Sequence, residues 1–156
     1  MRLLMEHPDQ LQYLVDNPNK IAMAIDEILR YNTPFIQMRR TVVEDVELAG
    51  QQLFAGDKVM LHYPAANHDE SVFGEDSIQF DIHRGERQPK LGHQLRSFGI
   101  GQHFCLGSHL ARLEMKQLTT IVFASSNFRM SLLRAGFALR HSPCLSSLKQ
   151  NSATSM

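Results

Sequence analysis

The 156-residue sequence predicts an α+β fold, mainly helical with a small antiparallel sheet. Three observations lead there. Apolar residues recur at helical intervals in three stretches, about 1–17, 20–31 and 108–124. Between the last two the period changes: residues 36–63 break into short runs rich in Val, Leu and Phe, punctuated by Gly50 and Gly56-Asp57. The stretch 76–94 has neither period and, rich in charge, Gly and Pro, reads as an irregular meander.

Composition bounds the function. An apolar fraction of 43% with 21% charged residues is ordinary for a soluble globular protein of about one domain. Sixteen basic residues balance sixteen acidic ones, so no long-range field draws nucleic acid or an anionic membrane. Two cysteines far apart in the chain, Cys105 and Cys144, make no disulfide framework and suit a reducing compartment. No apolar run approaches the roughly 20 residues that span a bilayer. The opening Met1-Arg2-Leu3-Leu4-Met5-Glu6 turns polar too soon for a signal peptide. The expectation is a cytoplasmic protein with no nucleic-acid partner and no membrane span.

Taken in order, Leu3, Leu4, Leu11, Leu14 and Val15 mark the first helical stripe, interrupted at His7-Pro8-Asp9. Pro8 lacks an N–H and fits best as the first residue of a helical turn, so a helix can start there. The stripe begins abruptly, with no cap before it, as in a chain cut inside a larger fold. Asn17-Pro18-Asn19 makes a break. The second helix carries Ile21, Ala24, Ile25 and Ile28 on one face, with Glu27 and Arg30 as surface neighbours three apart. Such a pair is ordinarily solvated and contributes roughly a few tenths of a kcal/mol. Thr33-Pro34 stops this helix. Strand-like runs follow at Val42, Val46-Leu48, Leu53-Phe54 and Val59-Leu61, with a hairpin turning near Gly50-Gln51; Arg39-Arg40, by type a surface pair, opens the sheet. In the last helix Leu110, Leu113, Leu118 and Val122 define the side expected to be buried. The serine-rich end, residues 125–156, is expected to be poorly ordered, with Cys144 an incidental thiol in it.

The chemistry concentrates in Phe98-Gly99-Ile100-Gly101-Gln102-His103-Phe104-Cys105-Leu106-Gly107, which runs directly into the helix at Ser108-His109-Leu110-Ala111-Arg112. A cysteine just ahead of a helix meets unpaired backbone N–H groups, and such donors lower a thiol's pKa. Gly99 and Gly101 free the backbone to turn through positive φ. Gly107 leaves no Cβ where something flat and bulky could come close. A thiolate in such a loop suits a soft metal ion. A lone cysteine in a glycine-rich turn is, on residue type alone, more often a buried, inert one. A Cys/His metal site from His103, Cys105 and His109 is a further reading, against which stands the lack of any C-x-x-C pair.

Phe98 to Arg112 fills every fixed position of F-G-x-G-x-H-x-C-L-G-x-x-L-A-R, and so resembles the haem-binding loop of soluble bacterial cytochromes P450. Other segments share the likeness: Glu27-x-x-Arg30; Arg40-Thr41 with Asp45-Val46-Glu47-Leu48; Ala66-Asn67-His68-Asp69-Glu70 with Val72-Phe73, where His68 stands for the family's usual arginine; and Phe80-Asp81 with Arg84. The resemblance implies that Cys105 is the proximal ligand of the iron in haem b (iron protoporphyrin IX). It further implies that Phe98, Gly99 and Gly107 lie against the haem, and that Arg40 and His103 bind its propionates. Glu27, Arg30 and Arg84 would form a buried scaffold. A histidine common in the family three residues before the motif phenylalanine is Leu95 here, with His93 two further back.

The likeness covers about 1–123 and implies the proximal half of the fold alone, taken as residues 1–124. No A-G-x-[DE]-T distal helix precedes it, so the chain reads as a partial P450 fold, a fragment. No catalytic residue beyond the haem ligand falls within it. The implied reaction is monooxygenation, one oxygen atom of O2 entering a small apolar substrate of the lipid, terpenoid or sterol kind. Electrons would come from a ferredoxin or similar donor, with Arg96, Arg112 and Lys116 as candidate contacts. The alternative is an inactive remnant without stoichiometric haem. A core lacking half its partners is expected to expose apolar faces.

Overall fold

The computed structural model describes residues 1–125. They divide into two units, one of Asn19–Lys116 and one of Met1–Pro18 with the chain from Gln117 onward. In the second unit, α1 (Arg2–Glu6) and α2 (Pro8–Asp16) are separated at His7, with Pro8 at the first turn of α2. The missing N–H of proline is harmless there. Leu4, Leu11 and Leu14 are buried.

The first unit is built on α3 (Ile21–Tyr31), which follows a 3-10 turn at Pro18–Lys20. Its buried aliphatic side chains, Ile21, Ile25 and Leu29, each contribute about 1.5–3 kcal/mol on leaving water. They share a core with Phe73, Phe80, Ile82, Leu91 and Leu95. Four short helices follow in the chain: α4 (Tyr63–Asn67), α5 (Glu70–Phe73), α6 (Arg84–Arg87) and α7 (Leu91–Gln94). The stretch read as a structureless meander therefore holds two single helical turns, α6 and α7. Both pack on α3, and they can do so because glycines face it. A Cβ on Gly85 would collide with the Met23 side chain, and one on Gly92 would lie 2.7 Å from Asp26 Oδ2.

The strands form two separate antiparallel ribbons instead of one sheet. β1 (Gln37–Thr41) pairs with β4 (Lys58–His62), Arg40 opposite Val59; β2 (Val46–Leu48) pairs with β3 (Gln51–Leu53). The tight turn sits at Ala49-Gly50, one residue earlier than the spacing suggested, and both residues have positive φ. That turn geometry continues the right-handed twist of its strands.

α8 (Ser108–Ala124) is the long helix after the cysteine loop. Here an expectation fails. Leu110, Leu113 and Leu118 are exposed, at 59%, 53% and 64%, and only Phe123 among the apolar residues of its last turns is buried. The apolar spacing is real, but more than half of each of those three residues stays open to solvent. Phe35, Ile36, Met60 and Ile121 are exposed as well. Among the described residues no helix is long and apolar enough to cross a membrane. The tail expectation, Ser125 apart, and Cys144 lie outside the described residues.

Candidate functional site

The cysteine loop leaves α7 through Leu95, Arg96 and Ser97. Gly99 and Gly101 both take positive φ, 75° and 67°, where a side chain would clash with its own backbone. The backbone then winds through a 3-10 turn at Gly101–His103. The loop is closed by main-chain bonds alone. Cys105 N–H donates to the Phe98 carbonyl at 2.9 Å, Phe104 N–H to Gly101 at 3.1 Å, and Ser108 N–H to Cys105 at 3.2 Å. Cys105 is free and exposed. A Cβ on Gly107 would lie 3.9 Å from Cys105 Sγ, with nothing nearer. Around it stand exposed apolar side chains, Leu106 at 99%, Ile100 at 63% and Phe104 at 46%.

The same unit holds a buried ionic cluster. Glu27 takes both ends of the Arg30 fork, at 2.7 and 2.8 Å, and meets Arg84 Nε at 3.3 Å. It also accepts the Asp81 N–H at 3.1 Å. Arg30 donates its remaining hydrogens to the carbonyls of Asn67, Ser77 and Gln79, and its guanidinium lies 5.4 Å from the centre of the Phe73 ring. Arg84 donates to the Phe73 and Asp76 carbonyls and to Asp76 Oδ1. Arg87 completes the outer edge by bonding Asp76 and Asp81. Glu27, Arg30 and Arg84 are essentially without solvent exposure. Buried charges of this kind are tolerable only when every donor and acceptor is met, and here hydrogen bonds engage both carboxylate oxygens and both guanidinium forks.

Asn67, whose part in the site the sequence did not reveal, joins this cluster to the loop. Its Nδ2 donates to Thr33 Oγ1 and Ser97 Oγ at 2.8 and 2.9 Å, its Oδ1 accepts the Arg96 N–H at 2.8 Å, and its carbonyl accepts from Arg30. Ser97 and Thr33 pass on to the Leu29 and Arg30 carbonyls at the end of α3. The two residues just before Phe98 are thereby fixed to α3. The place of Asn67 in the Ala66-Asn67-His68-Asp69-Glu70 segment was the hint available in the sequence.

Two perturbed groups set an acid limit on this arrangement. The Arg84 side chain bonded to Asp76 holds that carboxyl below its usual range, with the Arg84 and Arg87 charges assisting. Burial, then the Arg30 charge, holds the His68 imidazole below its ordinary value, although its Nε2 donates to the Tyr31 carbonyl at 3.2 Å. For His68 the unfolded chain binds a proton more readily than the native one, so stability falls as pH drops below about 6.5. For Asp76 the contribution is complete above the unfolded carboxyl value of about 3.9 and is lost as pH falls further through the native value. Urea midpoints measured from pH 8 to 3 should therefore decline in two stages. His68→Gln should remove the upper one alone; an unchanged profile would contradict the assignment.

Of the residues singled out in the sequence, the structure brings Glu27, Arg30 and Arg84 into contact. Phe98, Gly99, Cys105 and Gly107 share one loop. Arg40 is exposed on β1 and donates to the Arg39 carbonyl, while His103 is exposed in the 3-10 turn, and no hydrogen bond or ion pair joins these two. Leu95 is buried in the core and His93 is exposed. Arg112 is turned inward, bonded to Asp26 at 3.0 Å. Among the described residues no group of three or more His, Cys, Asp or Glu is placed to hold a metal ion, so His103, Cys105 and His109 do not assemble a site.

Comparison with known proteins accords with this geometry. The family description Cytochrome P450 matches residues 19–137. Linalool 8-monooxygenase of Pseudomonas putida is 40% identical over 119 residues, 76% of this chain and 28% of that protein. Cytochrome P450-terp of a Pseudomonas species is 42% identical over 72% of this chain and 25% of its own length. Steroid C26-monooxygenase of Mycolicibacterium smegmatis is 43% identical over 74% and 27%. Among solved structures, cytochrome P450 CREJ superposes with a TM-score of 0.71 at 39% identity, covering 78% of this chain and 29% of that one. CYP109E1 from Bacillus megaterium in complex with testosterone gives 0.70 at 36%, covering 78% and 32%. The chain thus spans about a quarter of the length of the curated relatives it matches. With three quarters of its own residues aligned to them, and with the cysteine loop and ionic cluster inside the matched segment, the chain belongs to the cytochrome P450 family.

Proposed function

We propose that this chain carries the haem-thiolate side of a P450 monooxygenase, with Cys105 as the axial ligand of haem b. The observation that carries the reading is the exposed Cys105 beside Gly107, in a loop whose apolar side chains Ile100, Phe104 and Leu106 are exposed too. These residues fit the group: a soft donor, an absent Cβ next to it, and an apolar surround suited to a flat macrocycle. Phe98, Gly99 and Gly107 would lie along the porphyrin. Arg40 and His103, both cationic or polar and exposed, would bind the propionates, for which a guanidinium fork is well shaped. The Glu27, Arg30 and Arg84 cluster would act as scaffold for the loop.

A thiolate-bound haem supplies O2 activation, because the sulfur pushes electron density toward the oxygen side. This chain's residues hold that sulfur: Gly99 and Gly101 set the turn, and the Cys105 N–H to Phe98 bond closes it. By likeness to the linalool and steroid monooxygenases, the whole enzyme's substrate is a small apolar molecule of the terpenoid or sterol kind. Its electron donor is a ferredoxin or a similar protein, and its setting cytoplasmic. The test is haem titration into the purified chain, then reduction under carbon monoxide. A stoichiometric complex with a strongly red-shifted Soret band is expected. No haem uptake would favour the inactive remnant, and a band at the position typical of histidine ligation would overturn Cys105 as ligand.

A further inference from the structure

Consecutive carboxylates on α3 have different destinations. Glu27 enters the buried arginine cluster, while Asp26 reaches Arg112 on α8, with Asp26 Oδ1 to Arg112 Nε at 3.0 Å. Both side chains are about three-quarters buried, at 24% and 27% exposure. The same guanidinium lies 4.7 Å from the centre of the Phe98 ring, a cation–π distance. Phe98 in turn meets Phe104 edge to face, with ring centres 6.4 Å apart, and its carbonyl accepts the Cys105 N–H. One arginine therefore touches the ring of the residue whose main chain closes the cysteine loop, and a carboxylate from α3 fixes that arginine.

Gly92 on α7 leaves the room this requires. A Cβ there would stand 2.7 Å from Asp26 Oδ2 and 3.5 Å from its Cγ. The obstacle is the end of a side chain, so an added methyl group would push the carboxylate away from its present position and leave the backbone in place.

We propose that Asp26, Arg112 and the Phe98 ring form a latch that fixes the Cys105 loop to α3, with Asp26 and Arg112 as positioning residues for the sulfur and Gly92 as the clearance that admits them. The latch rests on the haem-thiolate reading for what the loop holds, but its geometry is a property of this chain alone. An arginine engaged in this way is not a free basic contact for an acidic partner, since such a partner would have to displace Asp26. Lysine is a poorer substitute: its ammonium is a compact point charge without the planar fork that can meet Asp26 and the Phe98 ring together.

Amide hydrogen exchange on the purified chain, without added haem, tests the latch. Asp26→Asn, Arg112→Lys and Gly92→Ala should each speed exchange across 98–107 by about fivefold, the scale of one partly exposed ion pair with a cation–π contact. Exchange across the Glu27 and Arg30 turn of α3 should stay unchanged. Asp26→Asn combined with Arg112→Lys should add little to either alone, because both break one unit. The swap Asp26→Arg with Arg112→Asp should recover part of the protection. Unchanged exchange in 98–107, additive effects, or acceleration spread through α3 would each overturn the latch. In chain loaded with haem, Gly92→Ala should shift part of the ferrous carbon monoxide band away from the thiolate position, and a wild-type spectrum would also count against the proposal. Failure of the wild-type chain to take up haem would sink the haem reading and leave the exchange result standing.

Discussion

Cys105→Ser should abolish the red-shifted band of the ferrous carbon monoxide complex and weaken haem retention by more than about a hundredfold, since outer-shell changes around a metal alone cost ten- to a hundredfold. A serine hydroxyl is a hard, neutral donor at ordinary pH, and it cannot supply the electron density that a thiolate does. The substitution should leave the apo-protein intact. Cys105 is exposed, its main-chain bonds to Phe98 and Ser108 do not involve the sulfur, and surface changes of this kind stay within about 0.5 kcal/mol. Absorption spectra and the rate of haem transfer to an acceptor globin measure the first effect, and urea unfolding measures the second. A variant that keeps the wild-type carbon monoxide spectrum would show that another atom binds the iron.

Glu27→Ala should destabilise the chain by about 3–5 kcal/mol, because it leaves Arg30 and Arg84 buried without their carboxylate. Against a total of about 5–15 kcal/mol for an ordinary domain, that is enough to empty the folded state in a chain with this much exposed apolar surface. The contrast is Arg87→Gln. Arg87 bonds Asp76 and Asp81 from a position half open to solvent, and although its guanidinium is held more basic than usual by the Asp81 bond, losing such a pair should cost less than about 1 kcal/mol. Urea midpoints of the two variants separate the cases. Equal losses would mean that Glu27 is not the keystone its burial makes it.

The two predictions differ in how far each could be read from the chain. Cys105 announces itself, because turn glycines, sulfur and helix start are contiguous. The partnership of Glu27 with Arg30 is also local, three residues apart on one helix. That Arg84 joins them follows from likeness of segments, and the structure places it on Glu27. Spacing marked α2, α3 and α8 closely, since a helical stripe is a property of neighbouring residues. It did not resolve the two ribbons, whose pairing of β1 with β4 around β2 and β3 is set by contacts 17 to 25 residues apart. Nor could it tell a covered stripe from an open one: Leu110, Leu113 and Leu118 have the right period and stay more than half exposed.

By itself, then, the sequence determined the helical frame and, through segments that each match locally, the family, because a stripe or a motif depends on residues within a few positions of one another. Tertiary structure alone decided that Arg112 turns inward to an aspartate 86 residues away, that Asn67 ties the loop to α3, and that α8 leaves leucines in the open. Those outcomes depend on which segments meet in space. A buried amide or a half-buried ion pair takes its meaning from the partner it finds there, and no local pattern of residues names that partner in advance.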